Sequence, residues 1–147
     1  MIQALTSILI SLFILGTAHA KNELKKSTPE GGEIQVTQND VKIIHRASEI
    51  LSKPSVWNKK DNRECPTKAK KFSLYCALYN ASVEVNGEFD HRLAALEEVR
   101  RTVEEFSKNK NYEHRLMDYN NDPTTSFNNI KKIFETTEKR LKAVLQK

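Results

Sequence analysis

Residues 112–127 read YEHRLMDYNNDPTTSF, and this stretch decides how the last third of the chain should fold. Residues 112–119 carry apolar side chains at the three- and four-residue spacing of a short helix. The NNDP that follows predicts a turn, because Asn and Asp side chains bond backbone amides two residues on and proline pre-sets φ. Thr125 or Ser126 can then cap a last helix, with Asn129 at or near the third position of a capping box. The stretch therefore predicts a helix, a turn and a second helix in succession.

The same stretch concentrates polar residues that could form a site. The candidates are His114, Asp118, Asn121, Asp122 and Thr125. His114 and Asp118 lie four residues apart, so on a helix they share a face and could hold a metal ion together. Asp122 or His91 could add a third ligand. A metal-binding protein or a metal-assisted hydrolase is therefore the alternative function.

A structural interpretation competes with each of these. His114 can pair with Asp118 on the surface, or Asp118 can accept hydrogen bonds from backbone amides of the turn. Asn121 and Asp122 can serve the turn itself, or they can bind a polar ligand at a helix N-terminus. Two residues at this spacing are common by chance, and the chain has no HExxH pattern. The sequence therefore favours the structural interpretation and predicts no catalytic residue and no cofactor.

Apolar stripes predict three further helices upstream. Asp40 can cap the first, whose apolar positions run over 43–51. Residues 72–83 are apolar almost all round, as in a central buried helix, and residues 88–108 form a longer amphipathic one. Trp57 is expected to fill the core with its indole N–H hydrogen-bonded. No segment predicts a strand, so the expected fold is all-α, a small bundle of four main helices plus one short helix.

The beginning of the chain predicts export. Residues 1–20, MIQALTSILISLFILGTAHA, carry no charged side chain and end in the small-residue pattern of a signal-peptidase site. Their apolar run is shorter than the roughly 20 residues of a spanning helix, which favours a cleaved signal peptide over an anchor. Residues 21–39 hold a Pro-Glu-Gly-Gly turn and no apolar period, which predicts a flexible tether before a single helical domain over 40–147. We expect an exported protein, periplasmic or secreted, with no membrane span after cleavage.

The chain has two cysteines, Cys65 and Cys76. In an exported protein they most simply form a disulfide with each other. Closing such a short loop stabilises a fold by about 3 kcal/mol in the chain-entropy model. The alternative, a reactive thiol or a thiol-redox pair, needs an activating base that the neighbouring sequence does not supply.

Part of the chain's positive charge is concentrated in one segment, residues 59–71. The chain carries 24 basic and 19 acidic residues, a net charge of +5. Residues 59–71 hold six basic residues against Asp61 and Glu64. The basic residues are Lys59, Lys60, Arg63, Lys68, Lys70 and Lys71. Charge runs of this kind favour a solvated loop. The alternative is a binding patch: because an exported protein seldom meets nucleic acid and no nucleic-acid-binding motif is present, its partner would be an envelope polyanion or another protein.

No catalytic pattern supports an enzyme. The chain lacks a GxSxG elbow, a phosphate-binding glycine loop and a clear pair of carboxylates for acid–base catalysis. These observations favour a small exported helical protein that acts as a binding or interaction module without catalysis of its own.

Three segments carry a resemblance to a known family. They are ASEILSKPSVW over 47–57, LYCAL over 74–78 and RLMDYNNDPTTSFNNI over 115–130. In this order they resemble a family of small helical bacterial proteins classed as a domain of unknown function, over about residues 41–141. The corresponding positions are Trp57, Cys76, Ala77, Asn121, Asp122, and Thr125 or Ser126. The resemblance implies the helical fold and implies no activity.

Overall fold

The computed structural model of the chain describes residues 34–108 and 110–147. This part contains five α-helices: α1 Gln38–Ile50, α2 Leu74–Asn86, α3 Ala94–Ser107, α4 Arg115–Asn121 and α5 Phe127–Leu145. A short 3₁₀ helix, Pro54–Val56, follows α1. These residues form no strand, only an isolated bridge between Trp57 and Phe72. The predicted all-α architecture, four main helices and one short one, is confirmed.

The predicted signal peptide and most of the predicted tether lie outside the described residues. Among the helices that are described, none has the length and hydropathy needed to cross a membrane.

The core lies where the four long helices meet. α1 packs against α2 and α5, and α3 packs against α5 and against the short α4. The core includes fully buried aliphatic side chains from all four: Ile43, Ile44, Leu74, Leu78, Leu96, Val99, Val103, Ile130 and Ile133. Burying each such side chain contributes about 1.5–3 kcal/mol. The long connection between α1 and α2 and the region around α4 pack at the margin of this core, and they carry the candidate sites.

The first helix begins earlier than predicted. Its N-cap is Thr37, and Asp40, which we expected to be the cap, occupies the third helical position. The Asp40 carboxylate accepts hydrogen bonds from the backbone N–H (2.8 Å) and the hydroxyl (2.7 Å) of Thr37. Its other oxygen accepts from the backbone N–H of Ala95 at 2.9 Å. Asp40 is therefore buried because it joins the start of α1 to the start of α3.

The third helix begins later than predicted, at Ala94 instead of residue 88. Gly87, with φ +82°, ends α2 in the left-handed region that glycine adopts readily. Asp90 then forms a turn: its side chain accepts from the N–H of Arg92 at 2.8 Å, and its carbonyl accepts from the N–H of Leu93 at 3.4 Å. The apolar spacing before Ala94 reflects packing from this turn and not a helix.

The quoted stretch folds largely as predicted, with two corrections. The short helix expected over 112–119 begins only at Arg115. Asn120 and Asn121, expected in the turn, are the last residues of α4. The turn starts at Asp122, whose carbonyl accepts from the N–H of Thr125 at 2.9 Å. Of the two expected caps for α5, Ser126 is the one used, and Asn129 completes the capping box.

Candidate functional site

Asn120 joins three segments of the chain. Its side chain is fully buried, and its Oδ1 accepts from the indole Nε1–H of Trp57 at 2.8 Å and from the N–H of Leu74 at 3.0 Å. Its Nδ2 donates to the carbonyl of Asn58 at 3.0 Å and to Oδ1 of Asn121 at 3.1 Å. All four hydrogen-bonding capacities of the amide are therefore used inside the protein. The expectation that the Trp57 indole is hydrogen-bonded in the core is confirmed.

Asn120 belongs to the polar stretch that the sequence singles out, but its role as a buried junction between three segments was not predicted. A signal was available in the spacing: Asn120 follows the apolar Leu116 by four residues, so it lies on the same buried face once the helix extends to Asn121. An inward-facing asparagine must find buried partners.

Asn121 and Lys59 tie the loop after Trp57 to the turn before α5. The Oδ1 of Asn121 accepts from the N–H of Asp61 at 2.6 Å, and its Nδ2 donates to the Asp61 carbonyl at 2.8 Å. Lys59 donates from Nζ to the carbonyls of Pro123 (3.1 Å) and Thr125 (2.7 Å), and it lies 5.5 Å from the ring centroid of Trp57. Two predicted site residues, Asn121 and Lys59, thus serve the fold.

Asp122 is saturated by neighbouring donors. Its Oδ2 accepts from Nζ of Lys110 at 2.7 Å and from the hydroxyl of Tyr112 at 2.8 Å. Its Oδ1 accepts from the N–H (2.8 Å) and the hydroxyl (2.6 Å) of Thr124. Lys110 first, then Thr124 and Tyr112, hold the pKa of Asp122 well below its usual range. Burial, followed by the charge of Asp122, raises the pKa of Tyr119 to about 12.

His114 and Asp118 come together through the backbone of His114. Oδ2 of Asp118 accepts from the backbone N–H of His114 at 2.8 Å, so this carboxylate stabilises the start of α4. His91, the possible third ligand, lines a cleft with His114, and its ring stacks edge-on against Phe89 at 4.6 Å between centroids. Residues 34–108 and 110–147 contain no group of three or more His, Cys, Asp or Glu side chains that could hold a metal ion.

We call residues 59–71 the basic loop. Its base is closed by two backbone hydrogen bonds, from Phe72 N–H to Val56 O at 2.8 Å and from Asn58 N–H to Phe72 O at 2.9 Å. Cys65 and Cys76 are at bonding distance as predicted, with their sulfur atoms 2.09 Å apart and their Cα atoms 5.2 Å apart. The loop is therefore fixed at both ends and at its middle.

Five of the six predicted patch residues are free to meet a partner. Lys60, Arg63, Lys68, Lys70 and Lys71 are exposed, and within the described part of the chain none forms an ion pair. The arginines of the helices behave differently, since each of five is paired with a glutamate: Arg46, Arg100, Arg101, Arg115 and Arg140.

No family model, no curated protein and no solved structure matches this chain. The resemblance to a bacterial domain of unknown function stays a prediction. Positions on which it rests have structural roles here: Trp57 bonds Asn120, Cys76 bonds Cys65, Asn121 bonds Asp61, Asp122 holds Lys110, and Ser126 caps α5.

Proposed function

We propose that this protein is an exported helical module that acts by binding, and that the basic loop is the surface that contacts an anionic partner. One observation carries the proposal: five exposed cations without carboxylate partners stand on a backbone that is fixed by the disulfide and by Asn121. A surface already held in one conformation loses less entropy on binding than a flexible one. The fixed loop therefore suits recognition of an extended negative charge.

Export supports the choice of partner. The apolar run and the closing Ala-His-Ala of residues 1–20, and the disulfide, are typical of proteins that leave the reducing cytoplasm. Outside the cytoplasm, polyanions of the cell envelope are abundant ligands for a loop in which six basic residues face two acidic ones. We favour an envelope polyanion over an acidic protein because the free cations recur along the loop from Lys60 to Lys71, a pattern that suits a ligand of extended negative charge.

The test compares two variants with the same loss of charge. The first replaces Lys68, Lys70 and Lys71 of the loop by Gln, and the control replaces Lys131, Lys132 and Lys139, which are exposed on α5 and also unpaired. Binding of residues 21–147 to heparin and to lipopolysaccharide is titrated at several salt concentrations. Each exposed charge contributes about 0.2–1 kcal/mol, so three together change affinity by about tenfold.

We expect the loop variant to weaken binding by about tenfold and to flatten its salt dependence, and the α5 control to change it by less than threefold. Equal losses in the two variants would mean that net charge, and not the loop, drives binding, and would contradict the proposal.

Intact mass and metal content of protein purified from its export route provide a second test. The proposal expects the mass of residues 21–147 lowered by two hydrogens, because the signal peptide is removed and Cys65 and Cys76 are joined. One equivalent of tightly bound metal would instead support the alternative function through His114 and Asp118.

A further inference from the structure

A second group of polar side chains surrounds a cleft of about 320 Å³. The cleft lies between the basic loop, the beginnings of α2 and α3, and the region around the start of α4. Its walls include Arg63, Tyr75, His91, Glu97, Arg100 and His114. Of these, His91 and His114 were proposed for a metal site, and Arg63 belongs to the basic loop. A volume of this size can hold a small ligand of a few carbon atoms.

Arg100 is fixed in this cleft with part of its guanidinium unused. Its side chain is only 20% exposed. Its Nη1 donates to the carbonyl of His91 at 2.9 Å and reaches Oε2 of Glu97 at 3.5 Å. Among the residues that the structure describes, Nε and Nη2 have no acceptor. An arginine oriented in this way can bind a carboxylate or phosphate group with two parallel hydrogen bonds.

Four other polar groups of the cleft are unused as well. The hydroxyl of Tyr75, the guanidinium of Arg63 and the rings of His91 and His114 make no hydrogen bond to any described residue. Arg63 also has φ +62°, in the left-handed region that residues with a side chain rarely adopt. Its N–H is held there by Oδ1 of Asp61 at 2.7 Å. Backbone strain of this kind concentrates at binding sites.

Aromatic packing fixes one wall of the cleft. Phe89 contacts the ring of His91 edge-on at 4.6 Å and the ring of Tyr75 edge-on at 5.9 Å between centroids. Tyr79 supports Phe89 from the other side at 4.9 Å. The rings of Tyr75 and His91 therefore have limited freedom and can offer a fixed apolar surface to a ligand.

We propose that this cleft binds a small anionic sugar, one that carries a carboxylate or a phosphate group. Arg100 and Arg63 supply the charge and the donors for the acidic group. The carboxylates of Glu97 and Glu113, which also line the cleft, can accept from sugar hydroxyls. The Tyr75 ring can pack against the sugar's C–H face, and its unused hydroxyl can hydrogen-bond a sugar oxygen. Such a ligand has an acidic group for the arginines, hydroxyls for the carboxylates and a C–H face for the aromatic ring. The inference goes beyond polyanion binding and does not depend on it.

The test measures binding of glucuronate, glucose 6-phosphate, glucose and inorganic phosphate to residues 21–147 by calorimetry and by chemical-shift changes. The variants are Arg100→Lys, which keeps the charge but loses the fork, and Tyr75→Phe. The matched control is Arg101→Gln, since Arg101 is the next residue on α3, is exposed and pairs with Glu98 at 3.1 Å.

We expect glucuronate and glucose 6-phosphate to bind, glucose to bind at least tenfold more weakly, and Arg100→Lys to weaken both anionic sugars at least tenfold. Tyr75→Phe should weaken them severalfold, and Arg101→Gln should leave them unchanged. No binding at millimolar concentration, equal binding of glucose, or unchanged binding in Arg100→Lys would overturn the inference. Inorganic phosphate binding as tightly as glucose 6-phosphate would overturn the sugar specificity.

The two proposals fail separately. Replacing Lys68, Lys70 and Lys71 should leave binding of the anionic sugar unchanged, and Arg100→Lys should leave heparin binding unchanged. If one substitution abolishes both while the fold is intact, the cleft and the loop form one site, and the inference of a separate sugar site is wrong.

Discussion

Two neighbouring regions of this protein use similar polar residues in opposite ways. Around Asn120, Asn121 and Asp122, a network of amides, a carboxylate and a lysine satisfies its hydrogen-bonding groups internally. In the basic loop, which begins at the residue after Asn58, the exposed cations have no partner within the described residues. Sequence alone would have ranked the first region higher as a site, because it is richer in His, Asp and Asn. In the structure, the side chains of Asn120, Asn121 and Asp122 are already paired within the protein.

The difference shows what separates a structural polar residue from an available one. A donor or acceptor that is already paired must lose that pairing before it can bind a ligand, and an unpaired buried group costs about 1–3 kcal/mol. The network is therefore expected to govern stability, and the loop is expected to govern binding. Each of the following substitutions tests one side of that comparison.

Asn120→Ala should have the largest effect on stability. It leaves the indole N–H of Trp57 and the N–H of Leu74 without their acceptor in a buried site, so we expect a loss of about 4 kcal/mol in the free energy of unfolding. Urea denaturation monitored by Trp57 fluorescence measures it. The control is Asn128→Ala, at an exposed position of α5, which should change stability by less than about 0.5 kcal/mol. A loss below 1 kcal/mol in Asn120→Ala would show that water replaces the amide and that the network is not the structural centre.

Removing the disulfide tests whether the loop must be held in place. The double variant Cys65→Ala/Cys76→Ala should lose about 3 kcal/mol, because without the bridge the unfolded chain regains the entropy of an open loop whose ends are 11 residues apart in sequence. Heparin affinity should also fall, since the cations would have to be ordered on binding. If stability falls while heparin affinity stays at the wild-type value, heparin binding does not require a preorganised loop. The two regions would then differ in binding only through the charge that they carry.

Asp122→Asn should cost about 2 kcal/mol at pH 7, because charge-assisted bonds from Lys110 and Tyr112 are lost or weakened. The pKa of Asp122 is lowered in the folded protein by Lys110 first, so its ionised form stabilises the fold above the usual pKa of about 4. That stabilisation is lost as the pH falls below 4 towards the lowered pKa. The variant should therefore lose less stability than the wild type between pH 4 and pH 2. Parallel pH profiles of the two proteins would contradict this role of Asp122.

Much of the fold was predictable because it depends on local spacing. The apolar periods over α1 and α5 and the Ser126–Asn129 cap involve residues three or four apart, and they were found. The start of α3 was missed because Phe89 continues a helical spacing from a turn, where it packs against Tyr75 and Tyr79.

The network and the cleft could not be found in this way. Trp57 and Asn120 are 63 residues apart in sequence, and Lys59 and Thr125 are 66 apart. No local sequence pattern indicates that such groups come into contact or that they form hydrogen bonds with one another. A sequence can indicate that an asparagine faces inward, but its partners are defined only when the helices have packed.

Arg63→Gly should have the smallest effect on stability and bears most directly on the comparison. Glycine adopts φ +62° without the steric cost of a Cβ atom, so the free energy of unfolding should stay constant or rise by up to about 1 kcal/mol. Heparin affinity should fall nevertheless, because one of the five free cations is lost. Lys60→Gln, at an exposed loop position, removes the same charge without changing the backbone and should lower affinity to a similar extent at unchanged stability. A gain in stability with a loss of heparin binding would show that Arg63 favours binding and lowers the stability of the fold. A loss of stability would instead place Arg63 with Asn120 among the residues that stabilise the structure.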